Sequence, residues 1–385
     1  MKVICWYPAL TDHQSFTIKE LKIKLDGKLD IYVFSHIHKA RLKQHWVGSD
    51  AEKSEKKVIS GFFGFKTILK AFNSNRNAIH VFGSPFENIK IIATLFLAIC
   101  LKKEIYLISE PYSPVELGYL DDRFGFLSKV KQRIRPFIYK FYGVFLCKNL
   151  AGVFAISKSA MLQYRKLGFA KEKIYPFGYF VSKFHGEEKT IEPPKNKSEY
   201  KVHAVFVGNL ISIKGLDLLI DAVDRININE KRLALSVYGS GDASKFKFDG
   251  DSVVYRGVIP FGKAQSVIHR YDFLVLPSRY DGWGVVVNES VMAEVPVLAS
   301  HMVGAGTMLT KWNCGLVFDL DRAGDLDQQL LNFMDIDLRK KLKANTKKLK
   351  KYLTPKFAAN YMHQIFLNRH RANQVRPEFP CYDLD

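Results

Sequence analysis

Residues 276–290 read LPSRYDGWGVVVNES and join an apolar run to a predicted helix through a glycine-rich turn. The run Phe273–Leu276 is typical of a buried strand, and the helix is predicted over 285–294. Gly282 and Gly284 have no side chains beyond a hydrogen atom, so they leave the backbone N–H groups accessible at the N-terminus of that helix. Unpaired N–H groups and the helix dipole favour an anion at such a position. The sequence therefore predicts a strand–loop–helix unit with a binding loop.

Two carboxylates flank this loop. Asp281 lies before the turn, and Glu289 lies about one turn inside the helix. In dinucleotide-binding folds a carboxylate near a ribose accepts hydrogen bonds from its two hydroxyls. An ordinary helix N-terminus would explain one acidic residue, because the helix dipole favours it there. It would not explain two acidic residues on either side of a Gly-x-Gly turn.

The same alternation of strand, loop and helix extends over most of the chain and predicts parallel sheets covered by helices. Strands are predicted at Val3–Trp6, Ile31–Phe34, Ile79–Phe82, Ile105–Ile108, Gly152–Ile156, Val202–Val207, Ala234–Tyr238, Val253–Tyr255, Phe273–Leu276 and Val297–Ala299. Helices are predicted at 17–25, 87–101, 124–145, 215–226, 263–270 and 285–294. A polar stretch with paired prolines, within 178–200, predicts a linker. The expected fold is α/β, with two doubly wound domains around a cleft, and a loosely attached tail follows residue 371.

Three further loops follow strands of the second half. Gly208-Asn209 leads to Lys214 just before a helix, where a lysine is a ready counter-ion for phosphate. Gly239-Ser-Gly241 allows a tight turn, and a glycine-rich loop occupies 301–307. Each loop alone is explained by an ordinary turn, but four on one sheet edge indicate a nucleoside diphosphate pocket.

Residues 202–317 resemble the donor half of a retaining glycosyltransferase of family 4, which has the GT-B fold. The resemblance rests on the order and spacing of the Lys214-Gly loop, the Gly239-x-Gly241 turn and the Asp281-x7-Glu289 element. It implies two Rossmann-like domains facing a central cleft. The acceptor-binding domain would span 1–185, with helix 355–370 packing back on it, and the donor-binding domain would span 198–352.

The resemblance also implies roles for individual residues. Lys214 would bind the donor diphosphate, Glu289 the ribose hydroxyls and Asp281 the transferred sugar. The expected donor-binding set is Gly208, Asn209, Lys214, Gly239, Gly241, Asp281, Gly282, Trp283, Gly284, Val285 and Glu289. The sequence departs from the family pattern at three of these positions: Asn209 replaces a cation, Asp281 a glutamate and Trp283 a phenylalanine. We interpret these changes as those of a subtype.

Two residues of the first half are candidates for the acceptor side of the reaction. His13 follows the first strand, and Glu110 follows the strand Ile105–Ile108. His13 would contact acceptor or donor phosphate, or else lie in a solvated helix-capping loop. Glu110 would orient an acceptor hydroxyl, or else be an ordinary loop acid. With Asp281, Glu289 and Lys214 they complete the expected catalytic set.

Charge is distributed unevenly along the chain. Its 58 Lys and Arg exceed its 38 Asp and Glu by 20, and residues 1–200 carry a net charge of +15. This field attracts polyanions, but no helix-turn-helix, finger or ribonucleoprotein signature predicts nucleic-acid binding. The segment 124–145 predicts an amphipathic helix with a basic side and Pro136 inside it. It would either lie buried against its own sheet or contact an anionic membrane.

The expected activity is transfer of a sugar from a UDP- or GDP-sugar to a glycan or lipid-linked glycan, with retained configuration, in cell-surface polysaccharide or lipopolysaccharide synthesis. No cofactor or metal is expected. Alternatives are a non-catalytic nucleotide-sugar or polyanion-binding protein and, among enzymes, a sugar-nucleotide epimerase. Five scattered cysteines and the absence of a 20-residue apolar run predict a cytoplasmic protein, peripheral to the inner face of the membrane if the helix binds lipid.

Overall fold

The computed structural model describes residues 1–35, 55–59, 64–74, 76–83, 88–112, 126–182, 200–248, 250–260, 262–370 and 376–382. Within the helix at 126–149, the side chains at 126–129, 131, 132 and 135 are not described. Most of the predicted linker also lies outside the described residues.

The first half of the chain forms a parallel sheet of seven strands in the order β3-β2-β1-β4-β5-β6-β7. The strands are β1 Val3–Tyr7, β2 Leu29–Val33, β3 Lys57–Val58, β4 Ile79–Gly83, β5 Glu104–Ser109, β6 Gly152–Ile156 and β7 Ile174–Phe177. The helices are α1 Asp12–Lys24, α2 Gly64–Ser74, α3 Ile89–Cys100, α4 Phe126–Asn149 and α5 Lys158–Lys166. Strands β1, β4 and β6 are buried throughout, as expected for a sheet covered on both faces.

The second half forms a parallel sheet of six strands in the order β10-β9-β8-β11-β12-β13. The strands are β8 Val202–Val207, β9 Leu233–Tyr238, β10 Val253–Tyr255, β11 Phe273–Leu276, β12 Val297–Ser300 and β13 Gly315–Phe318. The helices are α6 Leu216–Asn227, α7 Ala264–Ile268, α8 Val285–Met292, α9 Gly306–Trp312, α10 Asp325–Asn332, α11 Ile336–Leu349 and α12 Pro355–Asn368. The strand order reverses between β8 and β11, and ligands of such sheets bind at this switch point.

Every strand predicted from the sequence is present, which confirms the two doubly wound sheets. Helix boundaries are less accurate. Helix α1 begins at Asp12 rather than 17, because the Gln14 side chain accepts from the Thr11 N–H at 3.0 Å and caps an earlier start. Helix α8 ends at Met292, and Glu294 then adopts a left-handed conformation with φ of 60°.

Helix α12 returns from the second half to the first. It packs against α1, and Arg369 at its end forms an ion pair of 3.0 Å with Glu104 at the start of β5. The apolar core of the first sheet continues through this helix to one face of the second sheet.

The expectation of a loosely attached tail is wrong. Phe379, Cys381 and Tyr382 are buried, and the Tyr382 hydroxyl donates to the carbonyls of Ala155 and Phe177 at 3.0 and 2.7 Å. Burial of these apolar side chains outweighs the loop-forming preference of the nearby prolines.

Among the described residues, the structure contains no helix with the length and apolar character required to span a bilayer.

Candidate functional site

A cavity of about 340 Å³ opens where β8, β9 and β11 end, at the switch point of the second sheet. The loops after these strands line it, together with His13 from the first turn of α1. The residues predicted from the sequence that line it are His13, Gly208, Asn209, Lys214, Gly239, Asp281, Gly284, Val285 and Glu289. Gly241, Gly282, Trp283 and Glu110 are outside its lining.

Lys214 and Asp281 form an ion pair inside this cavity. The Lys214 Nζ lies 2.5 Å from the Asp281 Oδ2, and each side chain is only 14% exposed. The other Asp281 oxygen accepts from the Trp283 backbone N–H at 3.3 Å. The cavity therefore contains a largely desolvated cation whose counter-ion is supplied by the protein itself.

The local backbone holds Lys214 in place. The short helical turn Ser212–Lys214 ends at Gly215, whose φ is 68° and where a Cβ would collide with the Pro277 carbonyl oxygen. Arg279 binds both carboxylate oxygens of Asp217, at 2.8 and 2.6 Å, and also donates to the Ser212 carbonyl. The loop after β8 is thus fastened to the loop after β11.

The glycine-rich loop at 301–307 supports Asp281 from its other side. The Asp281 N–H donates to the Met302 carbonyl at 3.1 Å, and the Gly304 N–H donates to the Asp281 carbonyl at 3.0 Å. These bonds extend the parallel pairing of β11 and β12 past the ends of both strands. Because its backbone is held on both sides, Asp281 is a rigid part of the cavity wall.

Glu289 projects into the cavity from the second turn of α8. No hydrogen bond or ion pair reaches its carboxylate within the described part of the chain. Burial raises the pKa of Glu289 to about 7. This carboxyl therefore changes charge near neutral pH, and a polar ligand that donates to it would favour the ionised form.

Trp283 has a structural role that the sequence did not indicate. Its buried indole packs against Gly178, where a Cβ would lie 2.6 Å from the ring, and its Nε1 donates to Asn288 at 2.8 Å. The Asn288 amide in turn donates to the Tyr179 carbonyl at 2.8 Å. The side chain therefore joins the two halves of the chain instead of lining the cavity.

Glu110 approaches the same loop from the first half. Its Oε1 accepts from the Tyr179 hydroxyl, and its Oε2 lies against Gly282, within 2.6 Å of where a Cβ would stand. The His13 ring lies 5.8 Å from the Tyr179 ring. Tyr179 thus connects the two residues predicted for the acceptor side, and it was missed because it lies in the predicted linker.

Asn209 lines the cavity, and its Oδ1 accepts from the Ser240 hydroxyl at 3.0 Å. The cavity wall beyond it is apolar, formed by Val258, Ile259 and Pro260. This apolar stretch follows β10 after Arg256 and Gly257, and its position after a strand was the signal that could have identified it.

One group of possible metal ligands occurs among the described residues, formed by the exposed side chains of His301, Asp319 and Asp321. The His301 Nδ1 accepts from the Leu320 N–H at 3.2 Å, and none of these side chains lines the cavity described above. Exposed acidic groups of this kind are ordinary surface features, so the arrangement does not indicate a metal centre.

Comparison with known proteins finds similarity in the second half of the chain. Residues 201–335 match the family model for glycosyl transferases group 1. An uncharacterized glycosyltransferase of Methanocaldococcus jannaschii is 30% identical over 165 residues. That match covers 40% of this chain and 45% of the relative, so the chain spans less than half the length of this curated relative.

Solved structures match over almost the whole chain. HepE from Anabaena, in complex with UDP, covers 96% of this chain and is itself fully covered, with a TM-score of 0.68 and 11% identity. WaaG, a glycosyltransferase involved in lipopolysaccharide biosynthesis, covers 93% of this chain and is 99% covered, with a TM-score of 0.58 and 13% identity. The chain therefore has the two-domain GT-B fold, as the resemblance implied.

The raised pKa of Glu289 predicts a pH-dependent effect on stability. The folded protein holds this proton more tightly than the unfolded chain, whose pKa is near the ordinary 4.5. The free energy of unfolding therefore falls as pH rises from about 4.5 to about 7 and stays low above that range. Glu289→Gln should raise the melting temperature by a few degrees at about pH 8 and by far less at about pH 4.5, as measured by calorimetry.

Glu294→Gln is the matched control, because its shift has the opposite sign. Burial opposes ionisation of Glu294, but Lys350 and Lys347 nevertheless hold its pKa below the ordinary value. This substitution should lower the melting temperature at about pH 8. Equal effects of Glu289→Gln at both pH values would contradict the interpretation.

Proposed function

We propose that this protein is a glycosyltransferase that moves a sugar from a UDP- or GDP-sugar to a glycan or lipid-linked glycan, with retained anomeric configuration, in cell-surface polysaccharide or lipopolysaccharide synthesis. The observation that carries the proposal is the convergence of Lys214, Asp281 and Glu289 on one cavity at the switch point. The match to glycosyl transferases group 1 supports it, as do the UDP complex of HepE and the lipopolysaccharide role of WaaG.

In this proposal the cavity receives the nucleoside diphosphate in three parts. The apolar wall formed by Val258, Ile259 and Pro260 faces the nucleobase. The Glu289 carboxylate accepts hydrogen bonds from the ribose hydroxyls, which requires its ionised form. Lys214 and the first N–H groups of α8, which begins at Val285, face the diphosphate.

Binding of a diphosphate changes the partner of Lys214. Its ammonium must turn wholly or partly from Asp281 to the phosphate oxygens. Asp281 is then available to accept a hydroxyl of the transferred sugar. When Lys214 binds the diphosphate, it therefore also releases Asp281 to bind the transferred sugar.

Sugar transfer would proceed by attack on the face from which the phosphate leaves. The bond between the anomeric carbon and the phosphate oxygen breaks, and a bond to the acceptor oxygen forms on the same face. The acceptor proton passes to the departing phosphate oxygen, so no side-chain base is required. Lys214 stabilises the negative charge that develops on the diphosphate, and we propose that no metal ion is needed for this role.

On the acceptor side, Glu110 and His13 face the loop of Asp281 and Gly282 from the first half of the chain. In this proposal Glu110, whose Oε1 accepts from the Tyr179 hydroxyl, orients an acceptor hydroxyl near Gly282. His13, which lines the cavity, contacts the acceptor or the donor phosphate. A protein that only binds nucleotide sugars or polyanions is the remaining alternative, and turnover with a nucleotide sugar separates the two.

The membrane hypothesis has direct structural support in helix α4. One side packs inward, where Leu146 is buried and the Tyr142 ring lies 6.2 Å from the Phe96 ring. The other side leaves Phe137 and Phe141 exposed at 75% and 77%. The exposed side supports the proposal that this helix contacts a membrane.

The exposed side of α4 has the composition of an interfacial helix. Ile134, Ile138 and Val144 extend the apolar stripe, and the exposed Arg133 and Lys140 border it. Aromatic residues with flanking cations bind the interface of an anionic bilayer. We propose that this side places the protein on the inner face of the cell membrane, where a lipid-linked acceptor would be presented.

Lys214→Ala should abolish nucleotide binding, because the diphosphate loses its cation. Thermal shift with UDP, GDP, ADP and dTDP measures this. At about 100 times its dissociation constant a ligand adds roughly 2.7 kcal/mol of stability. One of these nucleotides should stabilise the wild type and Lys247→Ala, an exposed lysine outside the cavity, but not Lys214→Ala. Absence of stabilisation by all four would count against the proposed function.

Replacement of Phe137 and Phe141 by serine should weaken binding to phosphatidylglycerol vesicles about tenfold or more, since two exposed aromatic anchors are lost. Co-sedimentation at two salt concentrations measures the effect. The matched control replaces Ile228 and Ile336, exposed apolar residues of the second half. Wild-type protein that ignores anionic vesicles, or a double variant that binds like the control, would contradict membrane contact.

A further inference from the structure

A second cavity, of about 310 Å³, lies beside the cavity at the switch point and has Gly282 in its lining. It is bounded by helix α5 and Tyr112 of the first half, and by Tyr280, Asp281 and the loop Met302–Thr307 of the second half. Asp281 contributes to the linings of both cavities. Neither the family resemblance nor the proposed donor contacts assign this second cavity a role.

Gln163 contributes a buried amide to the second cavity. Its side chain is 8% exposed, and its Oε1 accepts from the Tyr112 N–H at 2.9 Å. That bond fixes the orientation of the amide. The Nε2 is buried and has no hydrogen-bond partner among the described residues. An unsatisfied buried donor is costly, so this atom indicates a ligand that accepts a hydrogen bond.

The charges around this amide are positive. Lys158 and Lys166 line the cavity, and Lys158 opens α5, whose N-terminal end carries the positive end of the helix dipole. His301 is also in the lining, but its Nδ1 accepts from a backbone N–H and lies 3.2 Å from Asp319. Among the described lining residues, Asp281 contributes a carboxylate, which is paired with Lys214.

We propose that this second cavity binds the anionic group, a carboxylate or phosphate, of the acceptor glycan. This inference rests on the proposed function. Lys158 and Lys166 neutralise the anion, and Gln163 donates to one of its oxygens through Nε2. An acceptor anchored there lies beside Asp281 and Gly282, where the transferred sugar is expected, so the cavity selects acidic acceptors and brings their hydroxyl to the donor.

The test uses three probes that differ in one substituent: para-nitrophenyl glucuronide, para-nitrophenyl glucoside phosphorylated on the primary hydroxyl, and neutral para-nitrophenyl glucoside. Their dissociation constants are measured by calorimetry on the full chain with UDP present. At least one anionic probe should bind about tenfold tighter than the neutral glucoside. Comparison of the two anionic probes separates a carboxylate source from a phosphate source.

Two variants and a control locate the site. Lys166→Ala removes an exposed cation, and Gln163→Glu keeps the acceptor for the Tyr112 N–H while it replaces the Nε2 donor by a carboxylate oxygen. Each should weaken the anionic probe about fivefold to tenfold and leave the neutral glucoside unchanged. Arg165→Ala removes the same charge from the adjacent position of α5, outside the lining, and should have no effect.

Three results would overturn this inference: no binding of any probe, equal binding of the neutral and anionic probes, or equal weakening by Arg165→Ala and Lys166→Ala. The thermal shift with UDP on the same samples separates this inference from the proposed function. If UDP stabilises every variant but the anionic preference is absent, only the acceptor site is wrong. If anionic probes bind but no nucleotide does, the proposed function is wrong instead.

Discussion

The cleft depends on the contact between the Trp283 indole and the first domain. The ring occupies the space left by Gly178, lies 6.1 Å from the Tyr382 ring and donates to Asn288, which continues to Tyr179. Burial of a tryptophan is among the largest apolar contributions a single side chain makes. Trp283 belongs to the loop that carries Asp281. This one contact therefore fixes the position of that loop relative to Glu110 and Tyr179 of the first half.

The site maintains its own charge balance before any ligand arrives. A lysine placed in a desolvated cavity for a diphosphate would be destabilising if it had no counter-ion. Asp281 supplies one, and the fastening of the 212–217 loop by Arg279 keeps both partners in position. In the proposed function, a diphosphate replaces Asp281 as the partner of Lys214, and a hydroxyl of the transferred sugar then donates to the Asp281 carboxylate.

The sequence was informative where structure follows from local pattern. The run Phe273–Leu276 is continuously apolar and Val202–Val207 is apolar except at His203, so both strands were located to the residue. The glycine-rich loops predicted most of the cavity lining. The sequence was uninformative where the position of a residue depends on contacts with residues far away in the chain. Tyr179 reads as part of a polar linker and residues 379–382 as a tail, yet both pack at the cleft. The ion pair between Arg279 and Asp217 also joins residues with no local signal.

The exchange of partners at Lys214 is the central claim, and it is tested most directly by titration of UDP into the wild type and Asp281→Asn by isothermal calorimetry. Asparagine keeps an acceptor for the Trp283 N–H but removes the charge that competes for Lys214. UDP carries no sugar, so loss of the Asp281 sugar contact does not enter. The account predicts that the variant binds UDP about fivefold to tenfold more tightly. Equal or weaker binding by the variant would contradict it.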